Sequence, residues 1–483
     1  MKRRVFVSAM AASLTGCAMG PDFLRPFFET PPDWRVDLPQ ASSFANMRWW
    51  QSFGDPVLDS LVEQALKDNL DIRIAAARVE RFLGQLSTTR SQFFPQIGYG
   101  LDVSRNRSSE RGVTPLPSGT DPWYKLYQGS LSAAWQIDLF GRVRRQSEAA
   151  QARVLASEQG RRGTLLSVVS AVAAGYVNLR ALDRKLDIAR ATASNYEKSL
   201  RIFELRFKGG VVSQTELSQV ESQYQQARAA VPVLEKQVAA QENLLSVLLG
   251  RPPGTIPRGK TIDALAVPAV PPGLPSSLID RRPDVLQAEQ NLVAANAEIG
   301  VARSLYFPDI SLTAAVGSAS AALSDFLSGP STVALLAANI AGPVFTFGNI
   351  EGQVRSAEAA NAEALANYQL TILNALRDTN DALVGAQKDE AVFDAQSKRV
   401  KALREYASLS RLKYENGTAS YLEVLYAENE LFAAELSGVD AESSRLTQMI
   451  SVYRALGGGW VDAIDPAASI SAEPAAPSAD KES

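Results

Sequence analysis

Apolar residues along this chain recur with two different periods. Between positions 213 and 249, Leu217, Val220, Tyr224, Ala227, Val231, Leu234, Val238, Leu245 and Leu248 alternate spacings of three and four, with Gln241 in the one gap. That is the seam of a helix in a coiled coil. Val424, Ala427, Leu431, Ala434, Gly438 and Ala441 form a second, alanine-rich seam that predicts close packing. Pro232 lies inside the first seam helix and predicts a bend or one opened hydrogen bond. Residues 141–207 carry no proline, so one helix of about 100 Å is predicted there, stopped by Gly209-Gly210. Elsewhere the period is two. Ile97, Tyr99, Leu101 and Val103 alternate within 96–107, and Leu131, Ala133, Trp135 and Ile137 alternate in a following stretch. A second pair of strand-like stretches falls at 309–320 and 331–345. Helices are predicted ahead of each pair, over 56–92 and 283–306, ended by Phe-Phe-Pro and Tyr-Phe-Pro because proline disfavours helix in the residue before it.

These elements occur twice in the same order. Leu139-Phe140-Gly141-Arg142 and Thr346-Phe347-Gly348-Asn349 lie 207 positions apart, as do Leu248-Leu249-Gly250 and Ala455-Leu456-Gly457. The same offset relates Leu205 through Val211 to Leu412 through Thr418, and the stretches ending at Pro95 and Pro308 are offset by 213. The mature chain is therefore read as a signal segment 1–16, an N-terminal anchor segment 17–55, repeat one at 56–250, a Pro/Gly-rich linker 251–279, repeat two at 280–457 and a disordered tail 458–483.

Composition narrows the chemistry. The formal net charge is −3 and there is no histidine, which removes nucleic acid as a partner and histidine-based catalysis and metal binding. Acid-only catalysis, such as a glycosidase carboxylate pair, remains formally open, but the carboxylates are spread along helical faces. The single cysteine, Cys17, follows Lys2-Arg3-Arg4, a short apolar stretch and Leu14-Thr15-Gly16. This resembles a lipobox, in which the cysteine is acylated, and Ala18 favours sorting to the outer membrane. The only cofactor-like group expected is this N-acyl diglyceride on Cys17. No later segment offers the uninterrupted apolar run of a transmembrane helix, so any membrane crossing is by β-strands.

Four strands cannot close a barrel, and open edges are not tolerated in lipid. The smallest outer-membrane barrels have about eight strands, so several copies must combine. Helices of about 100 Å exceed the bilayer thickness and must project into an aqueous compartment. Together these predict a tube.

Several motifs then resemble one family: Gly16-Cys17 followed by Gly20-Pro21-Asp22-Phe23, Trp49-Trp50, Arg281-Arg282-Pro283-Asp284, Gly342-Pro343-Val344-Phe345, and Tyr414 through Leu425. The sequence resembles the TolC-like outer-membrane efflux family, most closely its lipoprotein, NodT-type branch. The resemblance implies a mixed α/β membrane protein: a homotrimer with a twelve-stranded transmembrane β-barrel, four strands per chain, continued by a periplasmic α-helical coiled-coil barrel. It implies a non-enzymatic conduit in the outer membrane, working with a periplasmic adaptor and an inner-membrane pump to export small molecules. It places a periplasmic gate at Glu423 and Tyr426; family members carry acids at both positions, and a basic residue near Ala419. It places adaptor-docking tips at Gly209, Gly210 and Val211 and at Asn416, Gly417 and Thr418. The plainer readings are a helix-face acid favourable to the dipole for Glu423 and tight helix–helix turns for the tips. Arg281 through Asp284 reads as a helix start, and Trp49 and Trp50 as anchors onto the cylinder. A lipid-anchored periplasmic scaffold, or a channel for protein or peptide secretion, are the alternative functions.

Overall fold

The computed structural model describes residues 18–31, 34, 48–109, 111, 116–117, 119–267 and 280–457. The signal segment 1–16, Cys17 and the tail 458–483 lie outside the described residues. The elements are α1 (Pro56–Asp68), α2 (Leu70–Ser91), β1 (Gln96–Arg107), β2 (Trp123–Ile137), α3 (Arg142–Lys208), α4 (Gln214–Leu248), α5 (Pro283–Ser304), β3 (Asp309–Ser320), β4 (Thr332–Ala341), α6 (Asn349–Glu415) and α7 (Tyr421–Ala455). The internal repeat reaches the element boundaries. Helices α2 and α5 have 22 residues each, β1 and β3 have 12, α3 and α6 have 67, and α4 and α7 have 35.

Three expectations need correction. The helix expected over 56–92 is two helices broken at Asn69. That side chain accepts from Ile72 N at 3.1 Å, capping α2, and donates to Leu248 O at 2.8 Å. In repeat two Arg282 stands at the same place and donates to Ala455 O at 3.0 Å, so each repeat ties its last helix to the start of a 22-residue one. Arg282 also pairs with Asp284 at 2.7 Å, which fits the helix-start reading of that motif. Strand β4 stops at Ala341 rather than 345, because Pro343 cannot donate to a ladder. The segment expected to be a linker is packed over its described part: Ile256, Ile262 and Leu265 are buried.

The chain divides into two compact units, residues 1–27, 78–157 and 287–368, and residues 28–77, 158–286 and 369–483. In the first, the strands form one antiparallel sheet in the order β1-β2-β3-β4. The ladders pair Tyr99 with Leu131, Leu131 with Val316, and Val316 with Ala334. Residues on one face are therefore Ile97, Tyr99, Leu101 and Val103 with their apolar partners, while Asp102, Ser104, Ser130, Ser132, Thr313 and Asn339 fall on the other. Alanines at 149, 152, 294 and 297 form a small buried cluster that brings α3 close to α5. The segment after Cys17 is strapped to this unit. Arg145, itself buried, bonds Met19 O at 3.1 Å and Asp22 at 2.7 Å, and Asn296 donates to Pro21 O at 3.0 Å. Gly20 approaches Gly300 so closely that an added Cβ would stand 2.5 Å from Gly300 Cα.

The second unit holds the main hydrophobic core. The predicted seam of α4 faces it, with Val220, Ala227, Leu234 and Leu245 buried. Gln241 fills its gap in the seam by donating to Gly175 O at 2.9 Å. Pro232 sits within the unbroken α4. Helix α3 contains an 18-residue window of mean hydropathy 1.5, but 72% of that window is buried in the structure. Trp49 and Trp50 are each 1% exposed, and Trp49 stacks on Tyr453 at 5.3 Å. They are core residues, a deeper role than surface anchors. Asp55 is fully buried and accepts from Val57 N at 2.9 Å, the Tyr176 hydroxyl at 2.7 Å and Lys260 N at 2.9 Å. Tyr176 in turn accepts from Gly259 N at 2.9 Å, and burial beside Asp55 pushes its pKa up. Tyr176→Phe strands the Gly259 N–H and leaves Asp55 Oδ2 with Lys260 N as its remaining donor, a loss of about 1–3 kcal/mol. The thermal midpoint for loss of helical circular dichroism is expected to fall by several degrees, and an unchanged midpoint would refute the role given to this hydroxyl.

Candidate functional site

The turns that join the long helices are built alike in both repeats. After α3, Gly210 adopts φ +72, its N–H bonds Phe207 O at 2.9 Å, and Val211 N bonds Arg206 O at 2.9 Å. After α6, Gly417 has φ +71, its N–H bonds Tyr414 O at 2.9 Å, and Thr418 N bonds Lys413 O at 2.9 Å. This is the doubly bonded glycine stop of a helix C-terminus. All six tip residues Gly209, Gly210, Val211, Asn416, Gly417 and Thr418 are exposed or at most half-buried. Leu205, Val211, Leu412 and Leu422 leave apolar surface beside the turns. The second turn is stiffened further, since Asn416 donates to Leu412 O at 2.7 Å and the Thr418 hydroxyl to Lys413 O at 3.0 Å.

The two repeats part company in the next residues. Ser213 and Glu216 form a full capping box at the start of α4: Glu216 N donates to Ser213 Oγ at 3.2 Å, and Ser213 N donates to the Glu216 carboxylate at 2.7 Å. Those bonds pull the Glu216 carboxyl below its ordinary pKa. Ser420 and Glu423 occupy the equivalent places before α7, yet Ser420 makes no side-chain cap. Glu423 turns instead toward α6, where it faces Lys413 Nζ at 3.7 Å and Ser410 Oγ at 3.5 Å. Tyr426, one turn further on, is 60% exposed. The acid has been released from capping, which the sequence hides because both repeats read Ser-x-x-Glu.

Lys413 and its repeat counterpart Arg206 went unnoticed from the sequence alone. The available signal was a basic residue at the same place in both repeats. Arg206 hydrogen-bonds the Tyr414 hydroxyl and lies 5.7 Å from the centre of that ring. Tyr414 packs on Tyr421 at 5.0 Å, and Phe203 on Tyr421 at 4.3 Å. The end of α3 is thereby stitched to the end of α6 and the start of α7 by one aromatic cluster. Further from the turn, Arg404 pairs with Glu435 at 2.6 Å, and Arg411 with Glu428.

Comparison with known proteins gives a consistent result. A sequence profile described as outer membrane efflux protein matches residues 61–251 and 274–458. The cation efflux system protein CusC of Escherichia coli is 32% identical over 457 residues, covering 93% of this chain and 97% of that one. The toluene efflux pump outer membrane protein TtgF of Pseudomonas putida is 31% identical over 476 residues, covering 95% and 98%. Among solved structures, that of CusC superposes with a TM-score of 0.81 at 31% identity, covering 92% of this chain and 100% of that chain. The open state of the Neisseria gonorrhoeae MtrE outer membrane channel gives 0.83 at 29% identity, covering 92% and 99%.

Proposed function

Because this chain belongs to the outer membrane efflux protein family, and so is an outer-membrane channel component of an efflux system, we propose that three copies close one twelve-stranded barrel and conduct small molecules passively to the exterior. The observation that carries this reading is the sheet. One face is largely apolar along all four strands and the other holds most of the polar side chains, and the two edge strands β1 and β4 lack a partner within the described residues of the chain. In lipid those edges must pair, and a second and third copy supply the strands.

The internal repeat also sets how copies meet. Repeat one relates to repeat two as repeat two relates to repeat one of the next copy. Carried across that relation, the observed Leu131–Val316 pair becomes Ala338 beside Val103 of the partner subunit. The stack of Phe140 on Phe307 at 4.7 Å becomes Phe347 on Phe94 of the partner subunit. This fits the single chain, where Phe347 is 100% exposed with a left-handed φ of 49 and Phe94 is 67% exposed. Such a backbone costs a non-glycine residue about 1 kcal/mol or more, which a buried stack offsets.

The remaining assignments follow from the same reading. Cys17 carries the lipid anchor, beside a strap that holds residues 18–25 to the first unit. The two turns, with their apolar flanks, dock a periplasmic adaptor, which links the channel to an inner-membrane pump. Glu423 and Tyr426 narrow the periplasmic aperture. Relatives named for cation efflux and for toluene efflux match this chain over similar lengths, so we infer that cargo is chosen mainly upstream of the conduit.

The test combines cross-linking with conductance. Cys17 is the one native cysteine, so Val103→Cys with Ala338→Cys adds a unique pair. Oxidation is expected to link copies into species of up to three chains, and planar bilayers to show discrete openings. Silent bilayers and no intermolecular link, in a protein that stays oligomeric, would favour the lipid-anchored periplasmic scaffold.

A further inference from the structure

One segment of the first unit folds back onto the apolar face of the sheet. Residues 321–331 join β3 to β4 through two single helical turns, Leu323–Asp325 and Gly329–Ser331. Between those turns Phe326 reaches back across β3. A Cβ added to Gly129 would stand 2.7 Å from the Phe326 ring and 2.8 Å from the Leu101 side chain. Gly129 pairs with Leu101 on β1 and with Ser318 on β3, so the contact lies on the apolar face. Gly129 is the notch that admits the ring. It stands two residues, about 7 Å along β2, from Leu131, and so within the apolar stretch from Tyr127 to Trp135.

The fold-back accounts for two polar positions on that face. The residues of β3 that share it are Ile310, Leu312, Ala314, Val316, Ser318 and Ser320. The Ser318 hydroxyl donates to Phe326 O, and the Ser320 hydroxyl to Ala322 O at 2.8 Å. The serines of the segment itself are turned inward in the same way. Ser328 and Ser331 donate to Asp325 O at 2.6 and 2.7 Å, and Ser324 donates to Asp325 Oδ1 at 3.2 Å. Water satisfies such hydroxyls on an ordinary surface loop, whereas a segment at the edge of hydrocarbon has to satisfy them internally. The segment is amphipathic as well. Leu323, Phe326 and Leu327 fall at i, i+3 and i+4, one side of a helical turn, with Leu323 67% and Leu327 91% exposed. Ser324, Asp325 and Ser328 fall on the other side, and Asp325 is the one charged residue in 321–331.

We propose that residues 321–331 are an interfacial anchor, in which Leu323, Phe326 and Leu327 enter the acyl chains of the outer leaflet beside the barrel while Ser324, Asp325 and Ser328 face the headgroups. The proposal rests on the outer-membrane reading, which makes this face lipid-facing and this end of the sheet exterior. Continuity names the occupant. The Phe326 ring already lies on the lipid-facing band, and the two exposed leucines extend that band rather than begin a separate patch. An amphipathic turn of this kind lies in the plane of the interface. It fixes the depth of the β3–β4 end and leaves the exterior mouth of the conduit uncovered by this segment.

The test reads membrane depth. An environment-sensitive fluorophore is attached singly to lipidated Leu323→Cys, Leu327→Cys, Ser324→Cys and Leu131→Cys protein, and each trimer is reconstituted in phosphatidylcholine vesicles. Quenching by spin labels on the acyl chains is compared with quenching by aqueous iodide. Labels at Leu323 and Leu327 are expected to be quenched several-fold more by the chain spin labels than the label at Ser324, and to be shielded from iodide. The label at Leu131, in the middle of the apolar face, checks the reading beneath the proposal. Iodide-accessible labels at Leu323 and Leu327 beside a chain-quenched label at Leu131 overturn the anchor alone. A label at Leu131 that iodide reaches overturns the lipid-facing assignment of the sheet, and the anchor with it. The double variant Leu323→Asn, Leu327→Asn changes only exposed side chains, so its oligomer is expected to assemble with unchanged conductance. A raised conductance in that variant would place the segment over the mouth and overturns the proposal as well.

Discussion

Leu131→Arg is expected to abolish the assembled channel, whereas Ser132→Arg, one residue on, is expected to leave it intact. Leu131 lies in the middle of β2, paired with Tyr99 on one side and Val316 on the other. It is 53% exposed in the single chain and has hydrocarbon on every side of it along the sheet. The apolar stretch of β2 from Tyr127 to Trp135 spans about 27 Å along the strand. At the usual tilt that is about 20 Å of height, close to the band of about 25 Å expected in outer-membrane barrels. Leu131 is at its centre. An arginine near the bilayer midplane costs about 2–4 kcal/mol. With three copies in one barrel the total is about 6–12 kcal/mol, comparable to the whole stability of an ordinary domain. Ser132 points to the polar face, paired with Gly98 and Ala315, so an arginine there meets water and changes the charge of the lumen. The measurement is the heat-resistant oligomer recovered from outer membranes on denaturing gels, followed by conductance. Loss of oligomer in both variants, or in neither, would show that the two faces are not lipid-facing and lumen-facing.

That pair of neighbours also shows what the sequence made legible. Period-two alternation in 96–107 identified β1 to its last residue, because each face of a barrel strand meets a different solvent and the pattern has to be kept. The heptad seam of α4 was equally plain, since every third or fourth position along it is buried or half-buried. The starts and stops were less so. The break at Asn69 depends on one amide reaching Leu248 O, and the early start of β2 at Trp123 depends on pairing with Arg107. Both are long-range contacts with no local signature. The residues around Glu423 were hidden for a different reason. Both halves repeat Ser-x-x-Glu, and only the three-dimensional arrangement shows that the first glutamate caps its helix while the second faces Lys413. Lipidation at Cys17 was read from the sequence and lies outside the described residues.

Neutralising Glu423 is expected to reduce the cation preference of the channel several-fold and to lengthen its open periods. The reasoning starts from the comparison of repeats. Glu216 is committed to its helix cap, and swapping it would cost cap energy, about 1 kcal/mol, without touching an aperture. Glu423 is not so committed. Its carboxylate meets Lys413 at 3.7 Å with a side chain 34% exposed, a distance at which an exposed pair contributes at most about 1 kcal/mol. The remaining charge is available to an ion passing the aperture. A carboxylate about 4 Å from a cation in water-like surroundings stabilises it by about 1 kcal/mol, a factor of about five in local concentration, and three copies act together. Glu423→Gln removes that attraction while keeping the shape. It also frees Lys413, so the double variant Glu423→Gln, Lys413→Gln isolates the ring of acids from the tie to α6. Reversal potentials across a salt gradient report selectivity, and dwell times report the tie. If the single variant loses selectivity and the double variant opens no longer than the single one, Glu423 acts as a charge at the mouth. Longer openings in Lys413→Gln alone, with selectivity kept, would make the ion pair the latch. Unchanged selectivity and dwell times in all three variants would return Glu423 to a helix-face acid and place the constriction elsewhere along α6 and α7.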